Sequence, residues 1–291
     1  MIIRNESITD YHNSKALSKS KILDYIKRGP RFYHAVWIAK TEPRKESRAL
    51  WFGQRFDGLT DNADRELSTW APEIPDDAPR RAPEKHRTAK KPSPETLASF
   101  AWWDEWDAKH VGKATVSNED RFVLQQMLAE FRANPLVGRM WERCERQVTI
   151  RCELPDLGIS LQARPDGVIL DPNAPEMGDV KTTRSLATFD RDFFAFGYNC
   201  QAAIGQWLLA IEGYDVSERT TFPVVESCRY PRCEVRKAPE GALAHGWAVV
   251  KKAVEEIAAR TKANNWREDA QVEVREINVP RWLEIQMENE E

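Results

Sequence analysis

The sequence is poor in the features that assign a chain quickly to a class. Its five cysteines are odd in number, run from Cys144 to Cys233 and contain no C-x-x-C pair, which argues against a disulfide framework. Cys228 and Cys233 flank Arg-Tyr-Pro-Arg, but two thiolates without a second pair do not make a four-thiolate cluster, so all five read as free thiols. No apolar run approaches the roughly 20 residues of a membrane span. The opening Met1-Ile2-Ile3-Arg4-Asn5-Glu6 turns polar too early for a secretory signal. A cytoplasmic protein without a membrane partner is expected. An excess of charge of either sign is also missing. With 43 Lys+Arg against 46 Asp+Glu the net charge is −3, which argues against a generally basic nucleic-acid-binding arm and leaves only local basic patches. There is no Gly-rich phosphate loop, no Ser-His-Asp order with a nucleophile elbow, no zinc-finger spacing and no internal repeat. An ATP-driven motor is thereby excluded.

What is present is an ordinary globular balance, 41% hydrophobic and 31% charged over 291 residues, enough to bury a substantial core. Residues 18–26 carry Ile22, Leu23 and Ile26 at helical spacing, with Ser20 as a plausible cap and Gly29-Pro30 as the stop. Residues 31–39 suggest a second short helix, and residues 49–57 the entry to a third. Six prolines among charged residues between Pro72 and Pro94 leave no hydrophobic period, so an exposed, partly extended loop is expected there. A capping-box-like start at Ser117 opens a helix with the stripe Phe122, Val123, Met127, Leu128 and Phe131, closed by Asn134-Pro135. The period then changes. Residues 147–152, 159–164, 168–171 and 177–182 read as short strands separated by turn residues. Residues 190–213 read as one long apolar helix, 220–225 and 234–236 as strands. Leu243, Trp247, Val250, Val254 and Ile257 mark a last amphipathic helix. The expected fold class is α/β: a mixed central β-sheet flanked by helices, with a helical N-terminal layer, in a single domain. Its parts are an N-terminal helical portion (1–71), a Pro-rich insertion (72–95), a further helical stretch (96–143), and a core with C-terminal helix and tail (144–291).

The chemistry concentrates in Gln162-Ala163-Arg164-Pro165-Asp166-Gly167 and Met177-Gly178-Asp179-Val180-Lys181-Thr182-Thr183. Asp179 and Lys181 are two apart in a strand and so project from one face. Asp166, after a proline, sits 13 positions earlier across a turn-rich stretch that suits a hairpin. Two carboxylates, an ammonium and the Val180 carbonyl can therefore surround one point. Such an oxygen shell suits a hard cation such as Mg²⁺, which neutralises a phosphodiester and lowers the pKa of a bound water; Lys181 would orient that water or stabilise the transition state. Asp-x-Lys alone is an ordinary surface pair. Its setting in an apolar strand, the second Pro-Asp and the intervening turn separate it from that pattern. The reading is a metal-dependent nuclease.

Pro165-Asp166…Asp179-Val180-Lys181 resembles the PD-(D/E)XK nuclease signature. The flanking segments narrow the resemblance to the RecE-type (exonuclease VIII-like) branch, related to RecB and Cas4 nuclease domains. Those segments are Tyr11-His12, Leu17-Ser18-Lys19-Ser20, Gly29-Pro30-Arg31-Phe32-Tyr33, residues 49–57, Tyr198-Asn199-Cys200-Gln201 and Val279-Pro280-Arg281-Trp282. The resemblance covers most of the chain outside residues 72–113. It implies an exonuclease that uses Mg²⁺ (Mn²⁺ as an alternative) to digest linear double-stranded DNA from its ends, 5′ to 3′. The single-stranded overhang would pass to a single-strand annealing protein, and a homo-oligomer would enclose the DNA. It also implies Asp166 and Asp179 as metal ligands with the Val180 carbonyl, Lys181 as the catalytic lysine, Gln201 at the active site, and Glu145 and Tyr198 in support.

Two positions depart from the family. Asp57 stands where the family has a metal-binding His; an aspartate can serve Mg²⁺ as readily. Gly205 stands where related nucleases carry Tyr. A catalytically inactive DNA-binding module on the same fold, or an endonuclease, therefore remains open beside the exonuclease. His110, among Trp102, Trp103 and Trp106, reads as a packing residue. Basic clusters at Lys19/Lys21/Lys27/Arg28/Arg31, Arg44/Lys45/Arg48 and Arg229/Arg232/Arg236/Lys237 are candidate phosphate contacts.

Overall fold

The computed structural model describes residues 1–44 and 47–268; Lys45 and the segment Val279 to Trp282 lie outside the described residues. A short strand β1 (Ile2–Ile3) leads into helices α1 (Ile8–Asn13), α2 (Lys19–Tyr33) and α3 (Arg48–Ser68). The cap of α2 is Ser18 rather than the expected Ser20. The backbone breaks at Gly29 (φ 83°), so Gly29-Pro30 does divide two helical pieces, the second running on into a π-turn at His34–Ile38. Glycine tolerates this left-handed φ, and proline suits the first turn of the piece that follows.

Residues between Pro72 and Pro94 are mostly exposed and lack regular structure apart from a single turn at Glu84–His86. They are nonetheless held against α4 (Pro94–Lys109). Trp103 Nε1 donates to the Pro79 carbonyl at 2.9 Å, and Arg87 forms a bidentate pair with Asp104, both bonds 2.9 Å. Then come α5 (Asn118–Ala133) and α6 (Pro135–Trp141), the former capped by Ser117, whose hydroxyl accepts the Asp120 amide at 3.1 Å.

The strands are β2 (Glu145–Arg146), β3 (Thr149–Leu154), β4 (Ile159–Ala163), β5 (Gly167–Ile169), β6 (Glu176–Gly178), β7 (Lys181–Thr183), β8 (Thr220–Glu226) and β9 (Cys233–Lys237). β1, β3 and β4 form one antiparallel sheet. The main sheet is mixed: β2, β5 and β6 are antiparallel, β6 and β7 run parallel to β8, and β9 closes the other edge of β8 antiparallel.

Two strands open at one level without losing register. Ile150 pairs with Ala163 and Arg146 with Gly167, so β2–β3 and β4–β5 are a single hairpin bent at Gln147 and Asp166. Gly178 pairs with Thr221 and Lys181 with Val224, so β6 and β7 are one strand parted at Asp179-Val180. The continuous strand expected over 177–182 is therefore interrupted, because Val180 N–H turns to a side chain instead of a ladder carbonyl.

Hydrophobic cores cover both faces of the main sheet. One joins Ile22, Val168, Phe222 and Val224 to α8 (Tyr198–Ile211) and α9 (Glu240–Ala263); the other joins Phe56, Leu124, Phe131, Ile169 and Val225. The helix expected over 190–213 is two helices, α7 (Phe189–Ala195) and α8, separated at Gly197 (φ 64°). The apolar run continues through that corner because both helices pack on the same core. α8 and α9 cross closely at Gly246, where an added Cβ would lie 2.5 Å from the Asn199 carbonyl oxygen. Among the described residues, no helix is long and apolar enough to cross a membrane.

Candidate active site

Asp166 is the residue before β5 and Asp179 the residue after β6. The antiparallel pair Gly167–Gly178 puts them opposite one another, one step beyond the last paired residues. Directly opposed residues share a face, so both carboxylates enter the same cleft, and Lys181, two positions further, is ion-paired with Asp179 behind it. That cleft, about 220 Å³, is lined by Asp57, Asp166, Asp179 and Gln201.

Each group is fixed by a separate element. Asp166 Oδ2 accepts the Val180 amide at 2.7 Å, replacing the ladder bond that the bent hairpin gives up, and Gln147 Nε2 donates to Oδ1 at 3.4 Å. Asp179 Oδ1 accepts from Gln201 Nε2 of α8 at 2.9 Å, and its other oxygen is ion-paired with Lys181. Lys181 Nζ also donates to the Val180 carbonyl at 3.3 Å and stands 4.8 Å from the centre of the Tyr198 ring. That aromatic contact favours the cation where water is largely excluded.

Burial governs the electrostatics. It pulls the Lys181 ammonium below its ordinary pKa, against the opposing charges of Asp166 and Asp57. It pushes Asp166 up, partly countered by Lys181 and by the Val180 amide. Asp57, reaching in from α3, is pushed well above the usual carboxylate range by burial and then by the facing Asp166. The Tyr198 phenol is driven to about 12 by burial and stays neutral.

The donors suited to a cation are all oxygens: the carboxylates of Asp57, Asp166 and Asp179 and the carbonyl of Val180. Asp57 Oδ1 is buried without a hydrogen-bond partner. In kind, this set fits a hard divalent cation. Among the described residues, no three His, Cys, Asp or Glu side chains converge as a ready-made cage; Asp179 is turned to Lys181 and Gln201 while Asp57 faces Asp166.

The structure does not bring Glu145 to the cluster. It lies within β2, not ahead of the first strand of the hairpin, and its carboxylate takes Arg4 Nη2 at 2.9 Å. Most of the basic clusters are consumed by internal contacts as well. Lys21 donates to the Ala16 carbonyl at 2.9 Å and Lys27 to the Ala195 carbonyl at 2.6 Å. Arg232 is bidentate to Glu226, Arg236 pairs with Asp190, and Lys237 pairs with Glu218. His110 packs against Trp106 in a tilted arrangement, the ring centres 4.4 Å apart.

Two cleft residues escaped the sequence reading as site residues. Gln147 falls opposite Asp166 only because the hairpin keeps its register through the bend. Lys19, in the first turn of α2, brings a second ammonium to the Tyr198 ring, 4.9 Å from its centre. Burial, followed by the charge of Lys181, lowers the Lys19 pKa to about 7. Its position in a basic cluster was visible; its place beside Lys181 depends on how α2 lies on α8.

No family model and no curated protein match the chain in sequence. Among solved structures it is similar to a candidate exonuclease from Eubacterium rectale, with a TM-score of 0.62, 14% identity and 96% of each chain covered. At that identity the likeness is one of fold: the two share a mixed α/β architecture over nearly their whole lengths.

Proposed function

We propose that the protein is a Mg²⁺-dependent exodeoxyribonuclease that hydrolyses phosphodiester bonds of linear double-stranded DNA, with Mn²⁺ as an alternative ion. The observation that carries this reading is the opposition of Asp166 and Asp179 beside Lys181, with an unpartnered Asp57 oxygen buried in the same cleft. The candidate exonuclease with the same fold supports it.

Asp57, Asp166, Asp179 and the Val180 carbonyl would hold the ion. The ion supplies charge neutralisation at the phosphate and a water of lowered pKa. Gln201 fixes the rotamer of Asp179, and the Val180 amide fixes that of Asp166. Tyr198 seats the Lys181 ammonium, which holds the attacking water or the developing charge on phosphorus-bound oxygen. Digestion 5′ to 3′, overhangs passed to an annealing protein, and a homo-oligomer around DNA rest on the RecE-type resemblance.

A second reading is a binding module without catalysis; Asp57 in place of the family's His and the unconverged carboxylates favour it. Linear and closed circular duplex DNA, incubated with Mg²⁺ or EDTA beside Lys181→Ala, separate the readings. The exonuclease releases nucleotides from linear DNA alone, and loses this with EDTA and in the variant by about 10²-fold or more. Cutting of circular DNA would make it an endonuclease. Salt-sensitive DNA binding without degradation would leave the binding module.

A further inference from the structure

A groove of about 770 Å³ begins beside the cleft at Tyr198 and Thr182. It continues past Arg184, the residue that follows β7, about 10 Å beyond Lys181 along the strand. We propose that this groove is a binding track for one unpaired DNA strand, with Arg184 and Arg229 contacting phosphates and Phe196 stacking on a base. The assignment deepens the nuclease reading and rests on it for the identity of the nucleic acid.

Charge and shape both point this way. Of the arginines in the groove, Arg48 is neutralised by Asp120, and Arg191 pairs with Asp192 at 3.3 Å. Glu119 also lines the groove. Among the described residues, Arg184 and Arg229 have no carboxylate partner; Arg229 rests on the half-exposed Phe122 ring, 5.2 Å from its centre. Both guanidiniums are exposed, and phosphodiester oxygens fit their forked donors.

Phe196 supplies the other half. It is 53% exposed although it is a large apolar ring. It packs 5.9 Å from Tyr198, which in turn covers Lys181. The corner that carries it is held: Gly197 makes the left-handed turn, and Lys27 ties down the preceding Ala195 carbonyl. An exposed ring that lines one groove with arginines lacking carboxylate partners can stack bases of a single strand while the backbone is held electrostatically. Along a duplex the base faces are stacked on one another, and only the terminal pair offers a face to Phe196.

The test is fluorescence anisotropy of a labelled single-stranded thymidine 20-mer in EDTA, over a range of salt, on the full chain. Arg184→Ala/Arg229→Ala is expected to weaken binding at least tenfold and to reduce the salt slope by about 1.4, two contacts' worth for single strands. Phe196→Ala is expected to weaken binding about tenfold with the slope unchanged. Thermal melts equal to wild type establish that the variants fold; Phe196→Trp, retaining a stacking face, restores binding if the alanine variant melts early. Unchanged affinity in both variants, or no single-strand binding by the wild type, overturns the groove. Weaker binding to a blunt duplex hairpin, with single-strand affinity intact, overturns the choice of ligand. Single-strand binding that responds to these variants in a protein that hydrolyses nothing supports the groove and defeats the nuclease reading alone.

Discussion

Gln201 Nε2 donates to Asp179 Oδ1 at 2.9 Å, and the opposite oxygen of the same carboxylate faces Lys181. A helix amide and a strand ammonium thus hold the two sides of one side chain. Gln201→Ala removes the neutral half. A hydrogen bond to a charged group is worth about 1.5–3 kcal/mol in the folded protein, so the variant should melt lower, and nucleotide release in Mg²⁺, measured well below that melting temperature, should fall about tenfold or more because Asp179 is no longer held. Unaltered turnover would show that Lys181 alone positions Asp179.

Asp57 is the oxygen donor at the position where the resemblance calls for an imidazole. Asp57→His replaces a hard ligand by one that suits later transition metals. The expected result is a rise in the ratio of Mn²⁺- to Mg²⁺-supported nucleotide release. A ratio that does not move would remove Asp57 from the ion's coordination.

The crossing of α8 and α9 sets the position of Gln201 and Tyr198. Gly246→Ala would force a Cβ against the Asn199 carbonyl, backbone that cannot swing aside. Urea unfolding should show a loss of about 1–3 kcal/mol. A stability equal to wild type would mean that α9 can shift outward freely. Gly205 has a different neighbour: an added Cβ meets Met177 Sδ at 2.6 Å. A side chain at this position would require the end of the Met177 side chain to move aside.

Glu226 accepts two bonds from Arg232 and the Leu186 amide at 3.0 Å. Arg232, then the Leu186 amide, hold its pKa down at about 2 against the cost of burial. Because the folded value lies below the unfolded one, the stabilisation is present above the ordinary carboxylate range. It is lost as pH falls through about 2. Glu226→Gln should therefore melt lower than wild type at pH 7, with the gap closing as pH falls from 5 toward 2. A gap that stays constant over that range would assign it to packing.

Much of the architecture was legible because periodicity carries it. The stripe Phe122, Val123, Met127, Leu128 and Phe131 marked α5, and alternation with turn residues marked the hairpins. The corner at Gly197 was not legible, since apolar residues on both sides concealed a glycine acting as a turn. The parting at Asp179-Val180 was hidden too: a strand that opens without changing register leaves no trace in its pattern. At the cleft, the nearness of Asp166 and Asp179 could be inferred from a hairpin and a two-residue period. Glu145 could not be followed, because Arg4 claims it from 141 residues away. Nor could Gln147 and Lys19, whose positions depend on a bent hairpin and on helix packing.

The bend at Gln147 and Asp166 has a consequence for how this chain can vary. Both open strands resume on the same residue count, so the cleft is defined by length as much as by composition. Inserting or deleting one residue between Ala163 and Gly167 would turn every following side chain of β5 to the other face. Asp166 would then point into the core formed by Ile169 and Val225, away from Asp179.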